Sequence, residues 1–349
     1  MKIVNGKIKF MKLLIYLRVG KNKMNQFGKP ILFVVFNRLD TTKKVFEQIK
    51  KVKPIKLYVA SDGPRNEAEK EKVMQVRNFI INNVDWRCDI KTRFRDKNLG
   101  VGFGPNDAID WFFSHEEEGI ILEHDCLPSI SFFHFCSELL DKYRNNKKIA
   151  VIQGFNPFPK KDYPYSYFFS KYDLKWGWAT WRDRWQYQDM YTKDWPHIKK
   201  TDFLDMITKD NVVKLFWITI FDQIHRNPNL TWDTQFTYQL FKKNLLTITP
   251  KQNLILNIGY GKDAIYTTWV PAHLKGLKLE ELDFPLVHPE DIKINEEYDR
   301  LIEKVQFNIN HLSVLRRKFR NFLESNKFLR DNFLPLFLFL YRSYKKFKG

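Results

Sequence analysis

A chain of 349 residues, 44% of them apolar with 31 Phe and 10 Trp, can bury a core sized for one large domain with appendages or two small ones, and wholesale disorder is excluded. The formal net charge of +19 admits nucleic acid, an anionic membrane surface or a phosphate-bearing substrate as partner, although most lysines are scattered over helices with solvated faces. Three cysteines, Cys88, Cys126 and Cys136, exclude a disulfide framework and a paired zinc spacing and suit a reducing cytoplasm.

Residues 1–29 carry many lysines and almost no acid. Their short apolar stretch Met11–Leu17 lacks a small-residue cleavage site, so they read as a basic N-terminal extension and not as a signal peptide. Ile31–Phe36 is a continuous apolar run, the pattern of a parallel strand buried on both faces. Asp40 or Thr41 then caps a helix to about Lys51. Ile55–Ala60 is a second strand, closed by the turn Ser61-Asp62-Gly63-Pro64, and a helix follows from about Glu67 to Asn82. Asp89–Phe94 alternates like an edgeward strand. Asn98–Gly102 reads as a glycine-bearing loop leading to a helix near Pro105–Ser114, and Gly119–Leu122 as another buried strand. This rhythm predicts the α/β class with a doubly wound, Rossmann-like sheet flanked by helices.

The second half is less regular. Trp- and Tyr-rich loops fill Asn156–Trp185, a helix spans about Asp233 to Lys243, and short strands follow at Leu245–Thr249 and Asn253–Leu256. Residues 30–285 are read as one catalytic domain and residues 286–349 as a basic helical appendage containing Arg316, Arg317, Lys318 and Arg320. No run reaches the roughly 18 apolar residues needed to span a bilayer. The tail run Phe333–Tyr341, with Lys345, Lys346 and Lys348 behind it, reads either as a helix on an anionic membrane surface or as one packed on the domain.

Ligands of open α/β sheets bind beyond the carboxyl ends of the strands. Asn37 and Arg38 follow the first strand, Asp62 the second, and Glu123, His124 and Asp125 the fourth. One rim holding an arginine and several carboxylates suits a nucleotide diphosphate with a divalent ion, Mn²⁺ or Mg²⁺, which would neutralise the phosphates of a leaving nucleoside diphosphate. Asp125 is the candidate ligand. Glu123 faces the donor sugar or supports the ion, and His124 belongs to the same group as a ligand or a structural residue. Asp62-Gly63 is either a turn or a donor contact. Gly102 either joins strand to helix or brings backbone to the donor phosphates.

Leu122-Glu-His-Asp-Cys-Leu-Pro-Ser-Ile-Ser-Phe-Phe133 resembles the Glu-Asp-Asp segment of GT-A-fold N-acetylglucosaminyltransferases acting on mannose in N-glycan and O-mannosyl pathways, and still more their bacterial relatives in polysaccharide synthesis. The resemblance continues in order through Pro30–Leu39 (first nucleotide-binding strand and its Arg), Ala60-Ser61-Asp62 (uracil contact), Leu174–Trp181 (acceptor-side loop), Leu230–Gln235 (Trp-Asp-Asp segment with the catalytic base) and Ile258–Thr268 (closing loop). It implies a GT-A catalytic domain, a UDP-sugar donor, Asp125 as metal ligand, Asp233 as base, and Gly177, Trp178 and Trp232 on the acceptor side. Two departures stand out: the middle acid of the triplet is His124, and the closing loop has Tyr266 and Thr267 near the position of the family's His. They leave the ion's identity and necessity open. Asp233 also opens a helix, so a capping role competes with the base role. In Trp176, Trp178 and Trp181 a core role competes with stacking on a sugar.

The resulting expectation is an inverting glycosyltransferase moving a sugar to a glycan or lipid-linked acceptor in bacterial surface polysaccharide synthesis, cytoplasmic or peripheral on the inner face of the membrane. Two other readings remain: a nucleic-acid-binding protein, prompted by charge but without a recognisable motif, and a sugar nucleotidyltransferase, which would carry a Gly-rich loop that residues 30–45 lack.

Overall fold

The computed structural model describes residues 26–261, 269–325 and 327–340. Most of the N-terminal extension, Tyr266 and Thr267 of the closing loop, and Lys345 to Lys348 lie outside the described residues.

The α/β class expected from the strand–helix rhythm is the architecture found. Eight strands form one sheet in the order β3-β2-β1-β4-β8-β6-β9-β7. Strands β1 (Ile31–Val35), β2 (Lys56–Ser61), β3 (Asp89–Phe94) and β4 (Glu118–Glu123) are mutually parallel, with Val34 opposite Ala60 on one side and Glu123 on the other. Beyond β4 the sheet turns mixed. Strand β8 (Trp178–Trp181) runs antiparallel to β4 and β6 (Ile149–Gln153), while β9 (Leu246–Pro250) runs parallel to β6 and antiparallel to β7 (Tyr167–Ser170). A separate two-stranded ribbon pairs β5 (Cys126–Pro128) with β10 (Ile255–Asn257).

Both faces of the sheet are covered, which explains the unbroken apolar run of β1. Neighbouring side chains point oppositely along a strand, so Phe33 joins a core with Phe46, Ile80 and Phe132, while Leu32 joins one with Ile109, Phe112 and Phe236. The first core is closed by helices α1 (Leu39–Val52), α2 (Glu67–Asn83) and, after β5, α4 (Ile130–Tyr143). Helix α3 (Gly100–His115) closes the second. Helix α1 starts before the expected Asp40 or Thr41, because the Thr42 N–H and hydroxyl both bond the Arg38 carbonyl. Helix α3 starts at Gly100, not near Pro105. Its first N–H groups are taken by side chains remote in sequence: Asp62 accepts from Leu99 and Gly100, and Asn229 accepts from Gly102 and Phe103.

A third core lies between helix α5 (Asn211–Arg226), helix α6 (Asp233–Lys242) and the chain after β10, with Trp217, Phe221, Phe241, Tyr298 and Ile302 buried together. The expected boundary at residue 285 therefore falls inside packed chain. Asp299 is buried and accepts from the Ser170 hydroxyl at 2.6 Å, and helix α7 (His311–Ser325) lies on α5, Asn321 donating to the Thr219 carbonyl at 2.9 Å.

Candidate active site

Strand order 3-2-1-4 places the topological switch point between β1 and β4, where a crevice must open because successive crossovers leave in opposite directions. At that point β1 ends in Phe36-Asn37-Arg38 and β4 in Glu123-His124-Asp125. The His124 N–H still bonds the Val34 carbonyl at 3.0 Å, so the two segments leave the sheet side by side. The ribbon brings a third segment against them. The Ile258 N–H bonds the Asp125 carbonyl at 2.8 Å, and Arg38 Nη1 donates to the Gly259 carbonyl at 2.8 Å.

Three cavities run in line from this crevice. The first, of about 360 Å³, lies over the ends of β1 and β2 beside α3 and includes Ser61, Asp62, Asn98 and Arg95. The second, of about 290 Å³, shares Phe36, Glu123 and His124 with the first and adds Arg38, Asp125, Tyr260 and Asp233. The third, of about 280 Å³, shares Trp176 and Asp233 with the second and is completed by Asp173, Trp217, Phe307 and Arg317. Asp233 and Trp176 thus form the partition between the second and third cavities.

Three carboxylates crowd the second cavity. Burial first, and then the charges of Asp125 and Asp233, push the Glu123 carboxyl up to about 8, so one of the three is held as the acid at neutral pH. Burial pulls the His124 imidazole below its ordinary value, the lone-pair form that does not add positive charge. The Tyr260 phenol is pushed up to about 12 by burial and by Asp125, and among the described residues its buried hydroxyl has no hydrogen-bond partner. Divalent ions of the Mg²⁺ type are held by one or two carboxylates plus substrate phosphates rather than by a full protein cage. The donor set around Asp125 fits such a shared ion. Among the described residues no group of three His, Cys, Asp or Glu side chains forms a cage by itself.

Asp233 is the first residue of α6. Its Oδ1 accepts from the Thr234 N–H at 2.8 Å and from the Thr231 hydroxyl, and among the described residues no bond of this kind reaches Oδ2. The N-cap position of α6 is held by Trp232, so Asp233 stands one residue inside the helix and lines both the second and the third cavity. Beneath it the Lys175 ammonium donates to the Asp233 carbonyl at 2.9 Å and to Thr237 Oγ1 at 3.1 Å, and contacts the Asp173 carboxylate. Burial draws Lys175 down to about 7 against the pull of the Asp233 charge.

Several residues expected at the site stand elsewhere or are already engaged. Asn37 lines the second cavity, but its side chain donates to Glu69 at 2.9 Å. The Asp62 carboxylate lines the first cavity while holding the start of α3. Gly63 meets the backbone of Asp96 and Lys97, where a β-carbon would come within 2.5 Å, so it serves loop packing and not the donor. The Gly102 N–H is bound to Asn229 and is not offered to a phosphate. Gly177 adopts φ +61 and lies buried against Ile255, and Trp178 is 1% exposed, stacked on Trp232 at 5.7 Å; neither Gly177 nor Trp178 can meet an acceptor. Trp232 is buried and lines the second cavity. The aromatic residue that faces both cavities is Trp176, two positions from Trp178: β8 begins only at Trp178, so Trp176 belongs to the loop before it. Sequence reasoning also missed Asn229, Lys175, Asn257 and Tyr260. The Trp-rich spacing hinted at Trp176, Lys175 and Tyr260 fall inside the Leu174–Trp181 and Ile258–Thr268 segments without being singled out, and nothing local marked Asn229 or Asn257.

No family model matches the chain, and neither does any curated protein sequence. Similar solved structures include the mannosyltransferase PcManGT from Pyrobaculum calidifontis in complex with GDP-Man and Mn²⁺, at 11% identity and TM-score 0.32 over 50% of this chain and 53% of that one. Others are the 4-diphosphocytidyl-2C-methyl-D-erythritol synthase from Anaerococcus prevotii, at 9% identity and TM-score 0.33 over 69% and 97%, and a UDP-glucose pyrophosphorylase complexed with UDP-glucose, at 9% identity and TM-score 0.30 over 64% and 90%. The match to the mannosyltransferase spans about half the length of that protein. Likeness at these values assigns no activity.

Proposed function

We propose that the chain is a glycosyltransferase that moves a sugar from a nucleoside diphosphate donor, UDP-linked as the sequence resemblance implies, to a hydroxyl of a glycan or lipid-linked acceptor with inversion. The observation that carries this reading is the partition at Asp233, with a carboxylate-lined cavity on one side and an aromatic-lined one on the other. A transferase needs a reacting centre reached from two sides, and a carboxylate oxygen at the junction.

In this reading the nucleoside occupies the cavity beside α3 and the diphosphate the switch point, near Arg38 and Asp125. A divalent ion at Asp125, when bound, would neutralise charge on the departing diphosphate. The acceptor sugar enters the third cavity against Trp176. Asp233 Oδ2 takes the proton of the acceptor hydroxyl as its oxygen bonds the anomeric carbon and the bond from that carbon to the diphosphate breaks. Thr231 and Thr234 hold the other oxygen, so the base keeps its aim.

A sugar nucleotidyltransferase must accommodate a triphosphate. The arginines of the first cavity are already paired, Arg93 and Arg95 with Asp107 and Arg65 with Glu69, which favours the diphosphate. The test is a thermal-shift panel of UDP-, GDP-, CMP- and dTDP-sugars with and without Mn²⁺, followed by turnover of the stabilising donor. Nucleoside diphosphate release with sugar transfer supports the proposal. Pyrophosphate release from a nucleoside triphosphate and a sugar phosphate overturns it.

A further inference from the structure

Helix α7 has two faces. Val314, Arg317 and Asn321 point inward: Val314 is buried, the Arg317 guanidinium lies 4.7 Å from the Phe216 ring centroid, and Asn321 bonds the Thr219 carbonyl. Leu312, Leu315, Phe319 and Phe322 recur at the same helical spacing on the other side and are 52%, 64%, 49% and 59% exposed. The following helical segment extends the layer, the Phe319 and Phe337 rings meeting edge-on at 5.4 Å while Phe328, Leu336 and Phe339 are 65%, 57% and 65% exposed. A row of large apolar side chains this long does not stand in water without a partner.

The charge of the segment indicates which partner. Residues 311–349 contain ten lysines and arginines against two acids, a net of +8 within a chain of +19. Two such faces from two copies would bring like charges together, which opposes association. An anionic lipid surface satisfies both features, because its headgroups attract the cations while its acyl boundary takes the apolar side chains. Among the described residues no helix is long and apolar enough to cross a membrane. We propose that the outer face of α7 and the helix after it dock the protein on an anionic membrane surface. The inner face of α7 contributes Arg317 to the third cavity, so a docked bilayer lies about one helix width, roughly 10 Å, from the place proposed for the acceptor. The docking does not rest on the transfer reaction.

The test is sedimentation of the full chain with phosphatidylglycerol–phosphatidylcholine vesicles and, separately, with phosphatidylcholine vesicles. The wild type is expected to pellet with the anionic vesicles only, and Phe319→Glu/Phe322→Glu to lower the bound fraction about tenfold at an unchanged melting temperature. If that double variant melts early, Leu315→Gln, at the most exposed large apolar position of α7, is expected to weaken binding while melting normally. Equal binding to both vesicle types, no binding to either, or wild-type binding by correctly folded variants would overturn the proposal. So would a concentration-dependent dimer in sedimentation equilibrium that the double variant dissolves without changing vesicle binding, which would make the face a self-association surface.

Discussion

Gly259 and Asp125 touch so closely that a β-carbon on Gly259 would sit 2.1 Å from Asp125 Oδ2. The contact joins the loop after β10 to the end of β4 and fixes where the Asp125 carboxylate stands. Gly259→Ala must therefore displace the carboxylate or the loop. The expected outcome is a drop of about 10- to 100-fold in donor-dependent Mn²⁺ affinity, the scale for disturbing a ligand's support. Calorimetric titration of Mn²⁺ with nucleoside diphosphate present measures it. Unchanged affinity would remove Asp125 from the ion site.

Asp233 and its two threonines separate chemistry from positioning. Asp233→Asn keeps a group that can accept the Thr231 and Thr234 bonds but loses the base, so kcat should fall by about 10²- to 10⁴-fold with donor affinity intact. Thr231→Val removes one anchor from Oδ1 and should cost a smaller factor, about tenfold, in kcat. Full activity in Asp233→Asn would eliminate the proposed base.

Trp176 and Trp178 are two residues apart and should behave oppositely. Trp176→Ala is expected to raise the acceptor KM by about tenfold with little change in donor KM, as loss of one stacking face would. Trp178→Ala should instead cost about 3–5 kcal/mol of stability, because it empties a fully buried site beside Trp185, Trp232 and Phe236. Steady-state kinetics on one variant and denaturant unfolding of the other measure the contrast.

Asp299 provides a pH test away from the active site. Burial pushes its carboxyl up to about 6 despite the bond from Ser170 and the charge of Lys171. Its folded pKa lies above the ordinary carboxylate value, so the native state holds its proton more tightly than the unfolded chain. The associated stability is present below the ordinary Asp value and is lost as pH rises through about 6. Asp299→Asn, which stays neutral, should flatten that fall relative to wild type between pH values near 4 and 7. Parallel thermal melts that keep the wild-type slope would contradict this.

The amino-acid sequence by itself determined the elements of the first half and the strand-end chemistry, whereas Asn156–Trp185, read as loops, holds β7 and β8 of the central sheet. Continuous apolar runs at Ile31–Phe36 and Gly119–Leu122, short and bounded by turn signals, read as strands buried on both faces, and polar residues directly after them then emerge at the strand ends. Arg38, Glu123 and Asp125 were therefore legible as one rim before strand order was known. Tertiary structure alone decided the rest. The cap of α3 comes from Asp62 and Asn229, 38 residues before and 129 residues after Gly100 in numbering, so no local signal could start that helix at Gly100. The loop before β8 turns Trp176 to the cavity while the strand itself buries Trp178, a choice set by where sheet pairing begins. The chain after residue 285 reads as an appendage by its charge, yet Tyr298, Asp299 and Ile302 fill the space left between β7 and α5. Periodicity reports only which side chains share a face. What that face meets depends on contacts between segments distant in sequence, and the partition at Asp233 joins Trp176 and Lys175 to a residue nearly sixty positions on.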